Sequence, residues 1–390
     1  MSVTTTTMSD PGLAARYQAI ESSGWGRKVK LVQPRNFTFW VMTFVFIAGV
    51  LNMVLEFGPN LEAYSTPITQ GVVWFTVYGL AIAWIINRLD RYSPIPGRIR
   101  LLAFLWGGIA ATFGLAIHYN QAIFALLAKT QGISFSNDWK AALSAPISEE
   151  IAKGLAVVVV IGVAPRIVRT ATDGFIIGAF SGLAFQIFED VIYVLQTSQG
   201  AFGQTGPGIN TAITRTILGF SGHWMWTAIF CAGFVYLIGR PLQPARRGLG
   251  IFMMLLTPVG HFLWNGAPAL LGNPSQDLMM LIMLLFTAVI AVVFVAFYRM
   301  TLPPEQQTVR DVLQPEVDAG VITRDELEAL VGRHRQRRRF VKDAGGHAER
   351  RSRKHVLEAA HDLADQIAAA QGAETVEVGH ARAEIARVRT

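Results

Sequence analysis

Eight apolar stretches, each about 20 residues long, limit the folds open to this chain of 390 residues. A helix of about 20 residues is long enough to cross the roughly 30 Å hydrocarbon core of a bilayer. The stretches lie near residues 37–57, 69–87, 99–118, 141–163, 173–197, 211–239, 249–271 and 277–299. The sequence therefore predicts an all-α fold, a polytopic membrane bundle of about eight transmembrane helices.

The composition agrees with a membrane protein that has polar ends. Only 16% of the residues are charged, whereas soluble domains have about 25%. We expect a cytoplasmic N-terminal segment at 1–36, a transmembrane domain at 37–300 that holds the reactive side chains, and a cytoplasmic tail at 301–390. Because Cys231 is the only cysteine, a disulfide framework and a cysteine-based metal site are excluded.

The distribution of basic residues predicts which side of the membrane each loop faces. If both termini are cytoplasmic, the inner side of residues 1–300 holds 15 basic residues and the outer side holds three, namely Lys129, Lys140 and Arg215. Cytoplasmic loops carry the excess of Lys and Arg in membrane proteins. We therefore predict a multi-pass protein of the plasma membrane with both termini in the cytoplasm.

Polar side chains inside the apolar stretches are the main functional signal. A charged group in hydrocarbon costs about 3 kcal/mol or more, so such residues pair with one another or line a polar cavity. At about 1.5 Å per residue, those of spans four to seven fall in the outer half of the bilayer. These candidates are Glu149, Glu150, Lys153, Glu189, Tyr193, His223, His261 and Asn265.

The segment A-P-I-S-E-E-I-A-K carries two adjacent carboxylates and a lysine. Lys153 lies at i+4 from Glu149 and at i+3 from Glu150, so one carboxylate can stay ionised while the other becomes a general base toward water. Pro146 predicts that the helix starts or kinks there, with Ser144 as its cap and the glutamates in its first turn. The competing interpretation is an ion-pair cluster that only locks the helices together.

Two further pairs share a helix face at i, i+4, Glu189 with Tyr193 and His261 with Asn265. A histidine and an asparagine can donate hydrogen bonds to a developing oxyanion, although polar residues in membranes also simply join helices. Carboxylates and imidazoles at one depth can instead hold Zn²⁺ with a position left for water. The sequence does not choose between the metal and the carboxylate as the activator of water.

Other intramembrane polar residues carry a weaker signal. His118 and Asn120 are expected to meet the outer interface only, and Asp190 is expected to point away from the face that bears Glu189. Arg215 is a supporting candidate that would pair with a carboxylate or position a substrate carbonyl.

Four motifs in order resemble the PrsW family of intramembrane proteases, which are distantly similar to the CAAX prenyl endopeptidases and to the bacteriocin-processing membrane proteases. They are E-E-x-x-K at Glu149, F-E-x-x-x-Y at Phe188, G-H-x-x-x-T beginning at Gly222 and H-x-x-x-N at His261. Together they cover roughly residues 140–270. The CAAX relatives carry a histidine in the second motif, where this chain has Glu189 and Tyr193.

The resemblance implies hydrolysis of a peptide bond in or near the membrane. It implies Glu149 as the base and His261 with Asn265 as oxyanion donors, with Glu150, Glu189 and His223 as further catalytic residues. If a metal such as zinc is present, the predicted ligands are Glu150, Glu189, His223 and His261. The implied substrate is a single-pass membrane protein such as an anti-sigma factor, cut near the outer half of the bilayer.

The tail differs sharply from the rest of the chain. Thr323 and Glu326 predict a capping box before a short helix, and residues 354–371 predict an amphipathic helix. Between them a basic run from Arg333 to Lys354 suits anionic lipid head groups, and a solvated, partly disordered segment is the alternative. We expect no nucleic acid partner, because no recognition motif is present.

Two other functions compete with proteolysis. An ion- or proton-coupled transporter also places carboxylates and histidines inside its spans, but it usually shows repeated halves, and the first three spans hold no second E-E-x-x-K. A catalytically inactive scaffold is the other alternative, and the complete set of polar residues disfavours it.

Overall fold

The computed structural model describes residues 10–389, and no strand is present in that range. This agrees with the predicted all-α class. The helices are α1 Pro11–Ser23, α2 Phe37–Phe57, α3 Leu61–Leu89, α4 Gly97–Leu105, α5 Ile117–Gln131, α6 Ile133–Val163, α7 Ala171–Gly200, α8 Thr205–Leu218, α9 His223–Ile238, α10 Arg247–Leu270, α11 Gln276–Thr301, α12 Pro303–Asp318, α13 Arg324–Val331, α14 His334–Lys342, α15 His347–Ala369 and α16 Val376–Arg389. A π-helical segment, Trp106–Ala116, joins α4 to α5.

The chain divides into two compact units. Within the described residues, the membrane unit comprises 30–90 and 95–301, and the tail unit comprises 10–29, 91–94 and 302–389. The tail unit thus includes α1 and a short segment between α3 and α4, in addition to the C-terminal residues.

Six stretches of the described chain are long and apolar enough to cross a membrane: 37–89, 97–131, 171–200, 205–238, 247–270 and 276–318. The first of them covers the first two predicted spans. The fourth predicted span lies in α6, which carries the charged residues Glu149, Glu150 and Lys153 and is not among the six. A multi-pass membrane protein is therefore supported, while the number of eight spans stays a prediction.

Helix α7 lies at the centre of the membrane unit, and nearly all of its first half is buried. Glycines at four-residue spacing allow α9 to approach it closely. A Cβ atom at Gly178 would lie 2.4 Å from the Thr227 carbonyl oxygen, and one at Gly182 would lie 2.3 Å from the His223 carbonyl oxygen. Small residues of this kind let membrane helices pack backbone to backbone, and here they bring the start of α9 against α7.

The tail unit is built from α1 and α12–α16. Thr323 and Glu326 form the predicted capping box at the start of α13, which confirms that prediction. Helix α15 covers residues 354–369 of the predicted amphipathic segment 354–371, and it buries one apolar side, made by Val356, Leu357, Ala360, Leu363, Ala364 and Ile367. The core of the tail unit is thus an ordinary apolar interface between helices.

An ion cluster centred on Glu316 joins three helices of the tail unit. Glu316 of α12 accepts hydrogen bonds at 2.8 Å from Arg16 of α1 and at 2.8 Å from Arg382 of α16. Burial alone raises the pKa of Glu316, but the bonds from Arg382 and Arg16 outweigh it and lower the pKa below the usual 4.5.

This lowered pKa predicts a loss of stability in acid. A depressed carboxyl pKa stabilises the folded state above its unfolded pKa, and the contribution disappears as the pH falls through the folded value. We expect α12 and α16 to lose hydrogen-exchange protection as the pH drops below about 4.5, and we expect the loss to be smaller in Glu316→Gln. Equal pH dependence in both proteins would contradict this assignment.

Candidate active site

Helix α6 presents the two adjacent glutamates from its middle. It begins at Ile133 and continues through Pro146 to Val163, so a helix start at Pro146 with a Ser144 cap is wrong, while the alternative of a kink at Pro146 stays a prediction. Proline is tolerated inside membrane helices where neighbouring groups take up the freed backbone positions. Glu149 and Glu150 are therefore held by α6 itself and by its neighbours rather than by a helix N-terminus.

A cavity of about 550 Å³ lies among the helices of the membrane unit. Its lining includes Glu149 but neither Glu150 nor Lys153. Most of the other predicted site residues line it as well, namely Glu189, Tyr193, Arg215, His223, His261 and Asn265. Of the two adjacent carboxylates, only Glu149 thus faces space that a substrate and water can share.

The Glu149 carboxylate is oriented by a residue that the sequence did not reveal. Asn120 donates through Nδ2 to Glu149 Oε1 at 3.1 Å, and its Oδ1 accepts from the hydroxyls of Ser144 at 2.5 Å and Ser148 at 2.7 Å. An ionised carboxylate only accepts, so the amide must turn its NH₂ group toward Glu149. The expectation that Asn120 merely meets the interface is wrong, because α5 continues to Gln131 and keeps Asn120 beside α6.

Glu150 and Lys153 form the buried back of the cluster. Lys153 Nζ lies 2.9 Å from Glu150 Oε1, 3.5 Å from Glu149 Oε2 and 2.7 Å from His223 Nδ1. The two carboxylate oxygens lie at ion-pair distance, yet neither makes an aligned hydrogen bond with any described residue. Three acceptor atoms therefore surround one ammonium group that is fully buried.

A second ion cluster supports His223 from the other side. His223 Nε2 lies 3.0 Å from Glu189 Oε2, which also accepts from Arg215 Nη2 at 2.6 Å. Arg215 additionally pairs with Asp190 and stacks over the ring of Tyr193 at 4.1 Å. Asp190, which was expected to point away from the face that bears Glu189, still joins this cluster, because the long Arg215 side chain reaches both neighbouring carboxylates.

His261 and Asn265 of α10 complete the wall of the cavity. His261 Nε2 lies 3.9 Å from Glu149 Oε2, and His261 Nδ1 lies 3.3 Å from Glu150 Oε1 without an aligned hydrogen bond. Asn265 donates through Nδ2 to the Ala141 carbonyl oxygen at 3.2 Å, which ties α10 to α6. One of its two amide hydrogens is thus used structurally, and the other remains for a ligand in the cavity.

The sequence of this chain matches one protein family over more than half of its length. A model described as PrsW family intramembrane metalloprotease matches residues 95–297, just over half of the chain. The chain belongs to the PrsW family. The match includes every predicted site residue, and it leaves α2, α3 and the whole tail unit outside. No curated protein and no solved structure matched the chain.

Membership in the PrsW family supports a membrane-embedded peptidase. It lends no support to the transporter alternative.

The family description implies a metal, and three residues of the described chain fit one. Ligand atoms of Glu149, His223 and His261 all lie within 4.8 Å of one another, and all three residues are buried. One carboxylate with two imidazoles is a known ligand set of catalytic zinc. Glu150 and Glu189, which the sequence predicted as ligands, are not in this group of three; Glu189 instead bonds His223 in the way that a carboxylate orients a metal-binding histidine.

Proposed function

We propose that this PrsW-family protein hydrolyses a peptide bond of a membrane-anchored protein, with Glu149 as the group that activates water. One observation carries the proposal. Glu149 is the member of the adjacent carboxylate pair that lines the cavity, its Oε1 is held by Asn120, and its Oε2 has no aligned hydrogen bond in the described chain. An oriented carboxylate is suited to take a proton from water when its second oxygen has a cation 3.5 Å away but accepts no aligned hydrogen bond.

The residues around Glu149 suggest how the reaction proceeds. Glu149 Oε2 accepts a proton as the water oxygen attacks the scissile carbonyl carbon, and the carbonyl π electrons move to the oxygen. His261 and the remaining N–H of Asn265 donate hydrogen bonds to this oxyanion. When the oxyanion collapses and the C–N bond breaks, Glu149 returns the proton to the leaving nitrogen; the products are one carboxylic acid, which keeps the second water proton, and one amine.

Glu149, His223 and His261 are the residues that would hold a zinc ion. A bound zinc ion would supply a Lewis acid for the scissile carbonyl and would acidify water in the cavity. The Glu189 carboxylate would fix the ring of His223 in either case, through the bond at Nε2.

The proposal also covers the substrate and the orientation of the protein in the membrane. We propose a single-pass membrane protein, such as an anti-sigma factor, as the substrate, cut in the outer half of a plasma membrane with both termini of the enzyme cytoplasmic. The excess of basic residues in the predicted inner loops supports this orientation. Exposed basic residues of α14, among them Arg335, Arg338 and Arg339, suit anionic lipid head groups.

The function is tested in cells that express either the wild-type protein or Glu149→Gln. Extracytoplasmic fragments of single-pass membrane proteins should be released only with the wild type. A transporter would instead give an ion flux in proteoliposomes that Glu149→Gln abolishes, and we expect no such flux with the wild-type protein. Equal fragment release from both cell lines, or such a flux, would contradict the proposal.

Asn120 provides a second test of the same chemistry. We expect Asn120→Leu to lower kcat by about 10–100-fold, the usual cost of removing a group that orients a catalytic ligand, with KM little changed. The matched control is Gln121→Leu, because Gln121 lines the same cavity and no described residue is seen to pair with it. The measurement uses one of the membrane proteins whose fragments the wild type releases. An unchanged kcat in Asn120→Leu would show that Asn120 does not orient Glu149.

A further inference from the structure

The buried ammonium group of Lys153 lies where the donor atoms of the site converge. Its Nζ is 2.7 Å from His223 Nδ1 and 2.9 Å from Glu150 Oε1, with Glu149 Oε2 at 3.5 Å. The ring of Phe185 covers it at 4.4 Å. A cation is therefore already bound by two of the three residues that fit a metal.

The hydrogen bonds of His223 show why Lys153 and a metal ion would compete for the same nitrogen atom. Lys153 can only donate, so His223 Nδ1 must be the accepting nitrogen and Nε2 carries the proton that faces Glu189. The Glu189 bond thus fixes the ring form in which Nδ1 has a free lone pair, as carboxylates do for metal-binding histidines. That single lone pair cannot serve the ammonium and a metal ion at the same time.

The formal charges of the site point the same way. Four carboxylates, Glu149, Glu150, Glu189 and Asp190, face the two cations Lys153 and Arg215. This leaves a formal excess of two negative charges in a buried cluster, which favours the entry of a divalent cation. Lys153 opposes that entry both by its charge and by holding His223.

We propose that Lys153 is an internal competitor for the metal position, so that a divalent ion binds Glu149, His223 and His261 only when Lys153 releases His223 Nδ1. This extends the proposed function by assigning the lysine of E-E-x-x-K to control of metal occupancy. The inference rests on the proposed site, but zinc binding is measured without a substrate. Failure of proteolysis and failure of this competition are therefore separate results.

The test is zinc binding to the full-length protein, purified in detergent and stripped of metal with a chelator. We expect Lys153→Met to bind one Zn²⁺ per chain at least about tenfold more tightly than the wild type, as when a charge-assisted hydrogen bond no longer competes. Lys153→Arg keeps the cation and should show no gain. Adding His223→Ala to Lys153→Met should abolish the gain, which separates this site from zinc held elsewhere on the surface.

The fold of the variants is checked by circular dichroism and by thermal unfolding with and without zinc. Zinc should raise the Tm of Lys153→Met more than that of the wild type. If Lys153→Met does not fold, Lys153→Gln removes the charge and keeps a polar group, and the same direction is expected. Zinc affinity that is unchanged or weaker in a folded, uncharged variant would overturn the proposal.

Discussion

Glu149→Gln is expected to lower the rate of peptide hydrolysis by about 10²–10⁴-fold, the usual contribution of a general base, while the protein remains folded. Glutamine has nearly the same shape and keeps an oxygen that can accept from Asn120, but it cannot take a proton from water. The same loss is expected if Glu149 is a metal ligand, because an amide is a weaker donor than a carboxylate. Cleavage of a membrane substrate in proteoliposomes measures the effect.

Glu56→Gln is the matched control for this prediction. Glu56 is also a carboxylate that lines the cavity, yet it makes no ion pair with another described residue. Its substitution should change the rate by less than about threefold, well below the loss expected for a catalytic base. Similar losses in both variants would mean that the cavity needs negative charge in general rather than a base at Glu149.

Arg215→Leu is expected to destabilise the protein by about 3 kcal/mol, the lower end of the cost of breaking a buried ion pair, because the Arg215 side chain is 26% exposed. Arg215 pairs with Glu189 at 2.6 Å and with Asp190, whose side chain is only 1% exposed. Without the guanidinium group two neighbouring carboxylates lose their counterion. Equilibrium unfolding in detergent micelles measures the change in the free energy of unfolding.

Two further variants make the Arg215 result specific. Asp190→Asn added to Arg215→Leu should recover part of the lost free energy, because it removes one of the uncompensated charges. Arg98→Leu is the control for losing a positive charge, since Arg98 is exposed. A change below about 1 kcal/mol in Arg215→Leu would be typical of a surface pair and would contradict the buried cluster.

The features that could be predicted from the sequence follow from local spacing. Apolar runs predicted the helices, and the i, i+3 and i, i+4 relations placed Lys153 beside Glu149 and Glu150 as observed. The capping box of α13 was likewise local. Such relations depend only on the geometry of one helix, so they survive whatever the rest of the chain does.

The features that were missed depend on contacts between helices or on where a helix ends. Asn120 was assigned to the interface because the apolar run stops near residue 118, whereas the helix continues to Gln131. The pairing of Arg215 with both Glu189 and Asp190 depends on a side chain from another helix, so no pattern within α7 reveals it. The cavity is lined by Glu149 but not by Glu150. It forms where several helices pack together, so no single sequence motif reveals it.

The central claim is that this PrsW-family protein cuts membrane proteins within the bilayer through Glu149, and the position of the cut tests it most directly. Membranes from cells with the wild type or Glu149→Gln are compared by mass spectrometry of new protein N-termini. The account predicts termini that occur only with the wild type and that map to the outer half of single transmembrane segments. No such termini, or cuts confined to soluble domains, would contradict it.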